Sequence, residues 1–253
     1  MIVLFTDFGA ADPYVGQMHA VLAREAPQAR VIDLLHAVPD YDIRAGAYLL
    51  PALAAEFPPG SIFVCVVDPG VGGPRRAVML RADERWYVGP DNGLFHVLAR
   101  RARAPEAWAI EFRPPRLSAS FHGRDLFAPV AARLARGDWP PCAATALTAP
   151  AGDWPEDLPA VVYVDHYGNA MTGLRASAID RARAIRIAGR ELRLAAVFSA
   201  VPPGTAFWYV NSIGLVEIAV NRGSAAAALG LRPGQTFTLT EPPANRSATE
   251  ETR

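Results

Sequence analysis

Hydrophobic positions fall into long unbroken runs in the first part of this chain and into shorter, interrupted ones in the last. "MIVLFT" (Met1 to Thr6) and "SIFVCVV" (Ser61 to Val67) have no polar face, the pattern of strands buried on both sides of a parallel sheet. "VIDLL" and "RWYVG" predict further strands. Between them the period lengthens. In "DPYVGQMHAVLAREA", Asp12 is placed to cap a helix and Pro13 to open its first turn, with Tyr14, Val15, Met18, Val21 and Leu22 on one face. "RDLFAPVAARLARG" reads as a second helix, ending at Gly137. Alternating strands and helices predict an α/β domain with a mostly parallel sheet over residues 1–147.

Residues 148–157, rich in Pro, Ala, Gly and acids, predict a linker. Beyond them "AVVYVD", "AIRIAG", "ELRLAAVF", "AFWYVN", "LVEIAV" and "TFTLT" are short strand-like runs separated by Gly, Pro and Asn. They predict a smaller antiparallel, β-barrel-like domain over 158–241, followed by a mobile polar tail over 242–253.

Composition narrows the possible partners. The 253 residues are 51% hydrophobic, ample for a core. The 25 basic and 25 acidic residues cancel and form no basic stripe, so neither nucleic acid nor an anionic membrane is an expected partner. No apolar stretch is long enough for a membrane span and the N-terminus lacks signal-peptide features, so a cytoplasmic location is expected. Cys65 and Cys142 lack metal-ligand spacing and read as reduced structural thiols. Every basic residue is arginine, which excludes a Schiff-base lysine and a P-loop lysine.

Candidate chemistry gathers where strands end. "TDFG", "VDPGVG" and "GPDNG" each leave a predicted strand with an aspartate followed closely by glycine. Asp and Gly are ordinary turn residues. Three such loops at the carboxyl ends of parallel strands nevertheless point to a carboxylate-lined cleft. "SFHGRDLFAP" places His122, Arg124 and Asp125 just before a helix, where Asp125 could serve as its cap. The second domain adds "VDHYGNAMTGL" and "NSIGLVEIAVNRGSAA", dense in Asn, Ser and Gly beside apolar strands.

With "HAVPDYDIRAGAYLL" and "VVDPGVGGPRR", these segments resemble, in order and over nearly the whole chain, the signature blocks of the S-adenosyl-L-methionine hydroxide adenosyltransferases. That family is related to the fluorinase and chlorinase. The resemblance implies hydrolysis of S-adenosylmethionine to adenosine and methionine, without a cofactor or metal, by attack of water-derived hydroxide on ribose C5′. Because a sulfonium leaves as a neutral thioether, no general acid is needed and the demand falls on the nucleophile. A His with a carboxylate can activate water, typically roughly 10²–10⁴-fold, and an arginine can stabilise growing charge on the oxygen.

The resemblance assigns those roles to Asp68, Arg75 and His122, with Arg75 favoured over Arg76 by the motif's spacing and the proton acceptor left open between Asp68 and His122. The Gly and Pro residues between 68 and 75 would bend the loop so that Asp68 and Arg75 face one water. By the same resemblance Asp7 would hold the ribose hydroxyls, Asp165 the methionine amino group, Ser212 its carboxylate and Asn169 the adenine edge. Tyr41 and Tyr167 would form aromatic walls, and a homotrimer would carry the sites at subunit interfaces. The chain departs from the family at Tyr167, where Phe is usual. It departs from the halogenating members at Ile213, where they are charged, and at Asp68, where they carry an aromatic residue; it also lacks the extra first-domain loop of the fluorinase. A carboxylate at 68 would repel halide and suit water. The competing expectations are a halide-dependent adenosyltransferase, a nucleoside-binding sensor without turnover, and a divalent-metal hydrolase, the last disfavoured by the absence of metal-ligand spacing.

Overall fold

The computed structural model describes residues 1–240, so the tail expected over 242–253 lies outside the described residues. The chain divides into two compact units, Met1–Glu156 and a second from Asp157 onward. The first unit runs β1 (Ile2–Thr6), α1 (Pro13–Glu25), β2 (Val31–Leu35), α2 (Ile43–Ala54), β3 (Ile62–Val66), β4 (Ala77–Ala82), β5 (Arg85–Pro90), α3 (His96–Arg101), β6 (Glu106–Ile110), α4 (Ala128–Ala135) and β7 (Cys142–Ala144).

Its seven strands form one sheet in the order β2-β1-β3-β5-β4-β6-β7. β1, β2, β3 and β5 are parallel, and β4 is antiparallel to both β5 and β6, so five of the seven strands run one way. The unbroken apolar runs of β1 and β3 are buried along their whole length. Each such side chain contributes about 1.5–3 kcal/mol relative to exposure. Helices α1 and α4 cover one face, where Met18, Leu22, Phe127 and Val130 join Leu4 and Val64 in one apolar cluster. Helix α2 packs beside α3.

The expected face of α1 buries Val15, Met18, Val21 and Leu22, but Tyr14 lies outside it and is exposed. Asp12 stands at the N-cap position without a side-chain capping bond. The chain goes from β1 to β2 on one side and returns to β3 on the other. Loops leaving β1 and β3 therefore part, opening a crevice of the kind that binds ligands in open α/β sheets.

The second unit contains β8 (Leu158–Val164), β9 (Ala170–Arg175), β10 (Ile185–Ile187), β11 (Arg190–Leu192), β12 (Ala206–Val210), β13 (Leu215–Val220), α5 (Ala225–Leu229) and β14 (Thr238–Leu239). A four-stranded antiparallel sheet, β12-β13-β9-β8, and a three-stranded one, β11-β10-β14, share a core that includes Trp208, Ile218, Ile185 and Leu192. Helix α5 opens on Ser224, whose Oγ accepts the Ala227 N–H at 3.0 Å, and closes on Gly230 in the left-handed region. Among the described residues no helix is long and apolar enough to cross a membrane.

Candidate active site

A cavity of about 770 Å³ opens at the carboxyl ends of β2, β1 and β3. Asp7 follows β1, Asp40 and Tyr41 come from the connection after β2, and Asp68 follows β3; all four line it, as does His122. Arg75 reaches this group from the far end of the Asp68 loop. Its Nε donates to both carboxylate oxygens of Asp68, at 3.1 and 3.0 Å, and its Nη2 donates to Oδ2 as well. The same Nη2 donates to His122 Nδ1 at 2.9 Å.

The loop makes this reach by two successive turns, Val71 N to Asp68 O at 3.2 Å and Gly73 N to Gly70 O at 3.0 Å. Gly72 is held at φ +77, where a Cβ would stand 2.3 Å from the carbonyl oxygen of Ala119. The segment that carries His122 thus packs directly on the backbone of the Asp68 loop, and only glycine allows it.

A guanidinium can only donate, so His122 Nδ1 must be the acceptor and the ring hydrogen sits on Nε2. Burial, and then the Arg75 charge, hold His122 below the ordinary histidine range, against the opposing pull of Asp68 and Asp125. The side chains of Asp68 and Arg75 are only 3% and 12% exposed, so their ion pair is almost shielded from water. Arg75 also lies over the Phe127 ring, 5.5 Å from its centroid.

Arg76 takes a different course. It donates to Asp91 Oδ2 from Nε at 3.0 Å and Nη2 at 2.6 Å, and to Thr145 Oγ1 at 2.6 Å. Asp91 Oδ1 accepts the Thr148 N–H at 2.8 Å. The third aspartate loop, "GPDNG", therefore fastens residues 145–148, and Asp91 is not among the residues lining the cavity.

His122 immediately precedes a π-helical turn, Gly123–Phe127, which leads into α4. Such turns recur at functional sites. Asp125 does not cap the helix: it accepts from Arg124 at 2.6 and 2.9 Å and from the Ser118 N–H at 2.8 Å. Asp7 accepts the Tyr41 N–H at 3.1 Å. Burial raises the Asp7 carboxyl above the usual aspartate value, partly offset by that bond. Tyr41 makes the contact at φ 62, a strained conformation for a bulky residue, and the residue stays 73% exposed.

In the second unit Asn169 donates to Asp165 from its backbone N at 2.8 Å and from Nδ2 at 3.0 Å. Asp165, Tyr167 and Asn169 line a cavity of about 700 Å³ together with Phe198, Tyr209 and Arg222. Ser212 is exposed at a neighbouring turn and does not line that cavity. The turn is shaped by Asn211, whose Oδ1 accepts from Ile213 N at 3.2 Å and Leu215 N at 2.9 Å. Asn211 Nδ2 in turn donates to Glu217 at 2.7 Å, and Glu217 also accepts the Tyr209 hydroxyl at 2.6 Å. Glu217 is 1% exposed, and burial raises its carboxyl above the usual range despite these two donors.

Several of these residues escape sequence reasoning. Asp12 and Asp40 add two carboxylates to the first cavity, and Phe8, Tyr14 and Phe121 wall it with ring centroids 5.4–5.8 Å apart. The aspartates carry the same signal as Asp7, a position in a loop beyond a strand. Phe198 and Glu217 carry no local signal. Among the described residues, no three His, Cys, Asp or Glu side chains are grouped to hold a metal ion.

An α/β sheet with a carboxylate, an arginine and a histidine joined by hydrogen bonds where the β1 and β3 loops part, followed along the chain by an antiparallel β unit, defines a two-unit protein of the mixed α/β class. The chain belongs to the SAM hydroxide adenosyltransferase family: residues 2–145 match its N-terminal domain and residues 159–238 its C-terminal domain. It is 42% identical to a protein of Salinispora arenicola named (R)-S-adenosyl-L-methionine hydrolase, over 93% of this chain and 95% of that one. It is 40% identical to the protein of that name from Thermus thermophilus, over 94% and 98%. A fluorinase of Actinopolyspora mzabensis is more distant, 24% identical over 95% and 97%. Among solved structures, an uncharacterized conserved protein of Thermotoga maritima superposes with a TM-score of 0.85 at 31% identity, over 95% of this chain and all of that one.

Proposed function

We propose that this protein hydrolyses S-adenosyl-L-methionine, using one water to release adenosine, L-methionine and a proton. The observation that carries this reading is that Asp68 and His122, which line the first cavity, are joined through the Arg75 guanidinium. A water held there would attack ribose C5′ in line with the departing sulfur. Arg75 then faces the growing negative charge on the oxygen. His122 has its Nδ1 occupied by Arg75, so its Nε2–H is the group available to hold the oxygen. That leaves Asp68 to accept the water's proton, since a carboxylate keeps further lone pairs after binding Arg75. The reaction converts a cation and an incipient anion into neutral products, which a shielded pocket favours.

Asp7, Asp12, Asp40 and Asp68 surround the first cavity, a setting that attracts a sulfonium cation. In this reading Asp7 takes the ribose hydroxyls and Tyr41 walls the ligand. Asp165 takes the amino group, Ser212 the carboxylate and Asn169 the adenine edge, with Tyr167 and Phe198 offering ring faces. A homotrimer with sites at subunit interfaces, a barrel-like second domain, a cytoplasmic setting and chemistry without cofactor or metal complete the proposal. Asp68 itself weighs against the halide-dependent alternative, because a carboxylate repels a halide where it would have to bind.

The two relatives are named for the R form of the sulfonium. The test is chromatography of each sulfonium epimer incubated with the wild type and with Asp68→Ala in halide-free buffer containing chelator. Adenosine formed preferentially from the R epimer by wild type, and sharply reduced in the variant, is expected. Binding of either epimer without adenosine would support a sensor instead, and 5′-chloroadenosine on adding chloride would support the halide reading.

A further inference from the structure

The residues that flank Asp7 are tied to a chain of side chains that line neither cavity described above. Thr6 ends β1 and is fully buried. Its Oγ1 accepts the Phe8 N–H at 3.2 Å and lies 2.8 Å from His36 Nδ1. His36 Nε2 lies 3.0 Å from Asp33 Oδ1, and His19 Nε2 lies 2.8 Å from the same oxygen. Burial acts to raise the Asp33 carboxyl, but the hydrogen bonds from His36 and His19 outweigh it and hold the group ionised below the usual range.

Donor accounting fixes the direction of the chain. An ionised carboxylate only accepts, so His36 Nε2 donates to Asp33 and Nδ1 is left to accept the Thr6 hydroxyl hydrogen. Thr6 Oγ1 then has a lone pair directed at Phe8. The His36 carbonyl accepts the Gly9 N–H at 2.7 Å, and the Thr6 carbonyl accepts the Val38 N–H at 3.2 Å. His36 thereby grips the chain on both sides of Asp7, by its side chain at Thr6 and by its backbone at Gly9.

We infer that His36, kept in one tautomer by Asp33, is a positioning residue that presents Asp7 to the ribose. The order hydroxyl, imidazole, carboxylate is also that of nucleophilic hydrolases. Thr6 cannot act in that way, because it is wholly enclosed and its oxygen is already engaged by Phe8. The relay instead transmits the geometry of a half-exposed aspartate to the strand end. This inference rests on the reading of Asp7 as the ribose ligand.

The consequence is specific to the adenosine half of the substrate. Thr6→Val, which removes the hydroxyl at nearly constant volume, and Asp33→Asn, which alters a half-exposed group without opening a cavity, should each raise KM and the adenosine inhibition constant about tenfold, the scale of one ordinary hydrogen bond. Turnover should stay within about threefold of wild type and methionine inhibition should not move. Thr6→Ser should restore the wild-type constants. In an Asp7→Ala background, Asp33→Asn should add nothing further, as expected of residues acting through one group. Unchanged adenosine inhibition in Thr6→Val and Asp33→Asn, alongside a rise in Asp7→Ala, would overturn the relay and leave the ribose reading standing. Unchanged adenosine inhibition in Asp7→Ala would overturn both.

Discussion

Replacing Arg75 separates its effect on the reaction from its effect on the fold. Arg75→Lys keeps the charge but loses the planar fork that engages both Asp68 oxygens and His122 at once. Each charge-assisted bond lost is worth about 1.5–3 kcal/mol. An oxygen-stabilising donor removed from a shielded site costs roughly 10²–10³ in kcat. A fall of that size with little change in KM is expected, since the group acts on the reacting oxygen. Arg75→Ala does more, leaving the Asp68 carboxylate, 3% exposed, without its cation. Breaking one side of a buried pair costs about 3–5 kcal/mol. For a unit of this size each kcal/mol corresponds to about 2–4 °C in Tm, so a drop of roughly 6–20 °C is expected. Asp68→Asn combined with Arg75→Ala should regain much of that Tm, because no buried charge is left alone, and regain none of the turnover. Initial rates by chromatography and calorimetric scans measure the two quantities. If Arg75→Lys keeps half or more of wild-type kcat, the assignment of Arg75 to the oxygen is wrong.

Four further outcomes follow from the same geometry. Arg76→Ala should lower Tm, because the buried Asp91 loses its cation and keeps only the Thr148 donors, yet keep kcat within about twofold, in contrast to its neighbour. Gly72→Ala should cut kcat at least about tenfold and reduce stability, since the new methyl group meets the Ala119 carbonyl at a backbone φ that disfavours alanine. The acid limb of kcat/KM should fall below the ordinary histidine value, because protonation takes Nδ1 away from Arg75; the same lowered pKa makes His122 contribute stability that is present above the unfolded histidine value and lost as pH falls through the folded one. Glu217 has the opposite sign for a carboxyl: its raised pKa means that the folded state binds more protons, so stability should decline as pH rises from the unfolded glutamate value through the folded one, and Glu217→Gln should flatten that slope in urea titrations.

The parallel half of the first sheet was legible because β1 and β3 are continuous apolar runs, a signal that burial on both faces makes strong. β4 was not singled out, although "AVMLRA" is nearly as apolar, because it follows the Arg75 loop with no break to mark its start. β9, Ala170–Arg175, is hidden inside a segment dense in polar residues; Gly173 in it carries little strand signal, and the strand is specified by pairing with β8 and β13. At the site, adjacent arginines that look alike in sequence take separate partners, Arg75 with Asp68 and Arg76 with Asp91. The resemblance of the three aspartate loops was misleading for Asp91, since local turn chemistry looks the same whether a carboxylate faces a cavity or a neighbouring strand end. Tyr14 illustrates the converse: helical periodicity placed it with the core, whereas the position of α1 beside the β1 loop turns it to the cavity. Glu217 and His36 carry no signal of their own in the sequence; their contacts with Tyr209, Asn211 and Thr6 are identified only by the pairing of strands and loops in the fold.

The central claim, that water attacks ribose C5′ at the Asp68, Arg75 and His122 group, is tested most directly by turnover of S-adenosylmethionine in ¹⁸O-labelled water with mass spectrometry of both products. One ¹⁸O atom in the 5′-hydroxyl of adenosine and none in methionine is the predicted result. Unlabelled adenosine, or label appearing in an amino-acid product beside methylthioadenosine, would contradict it.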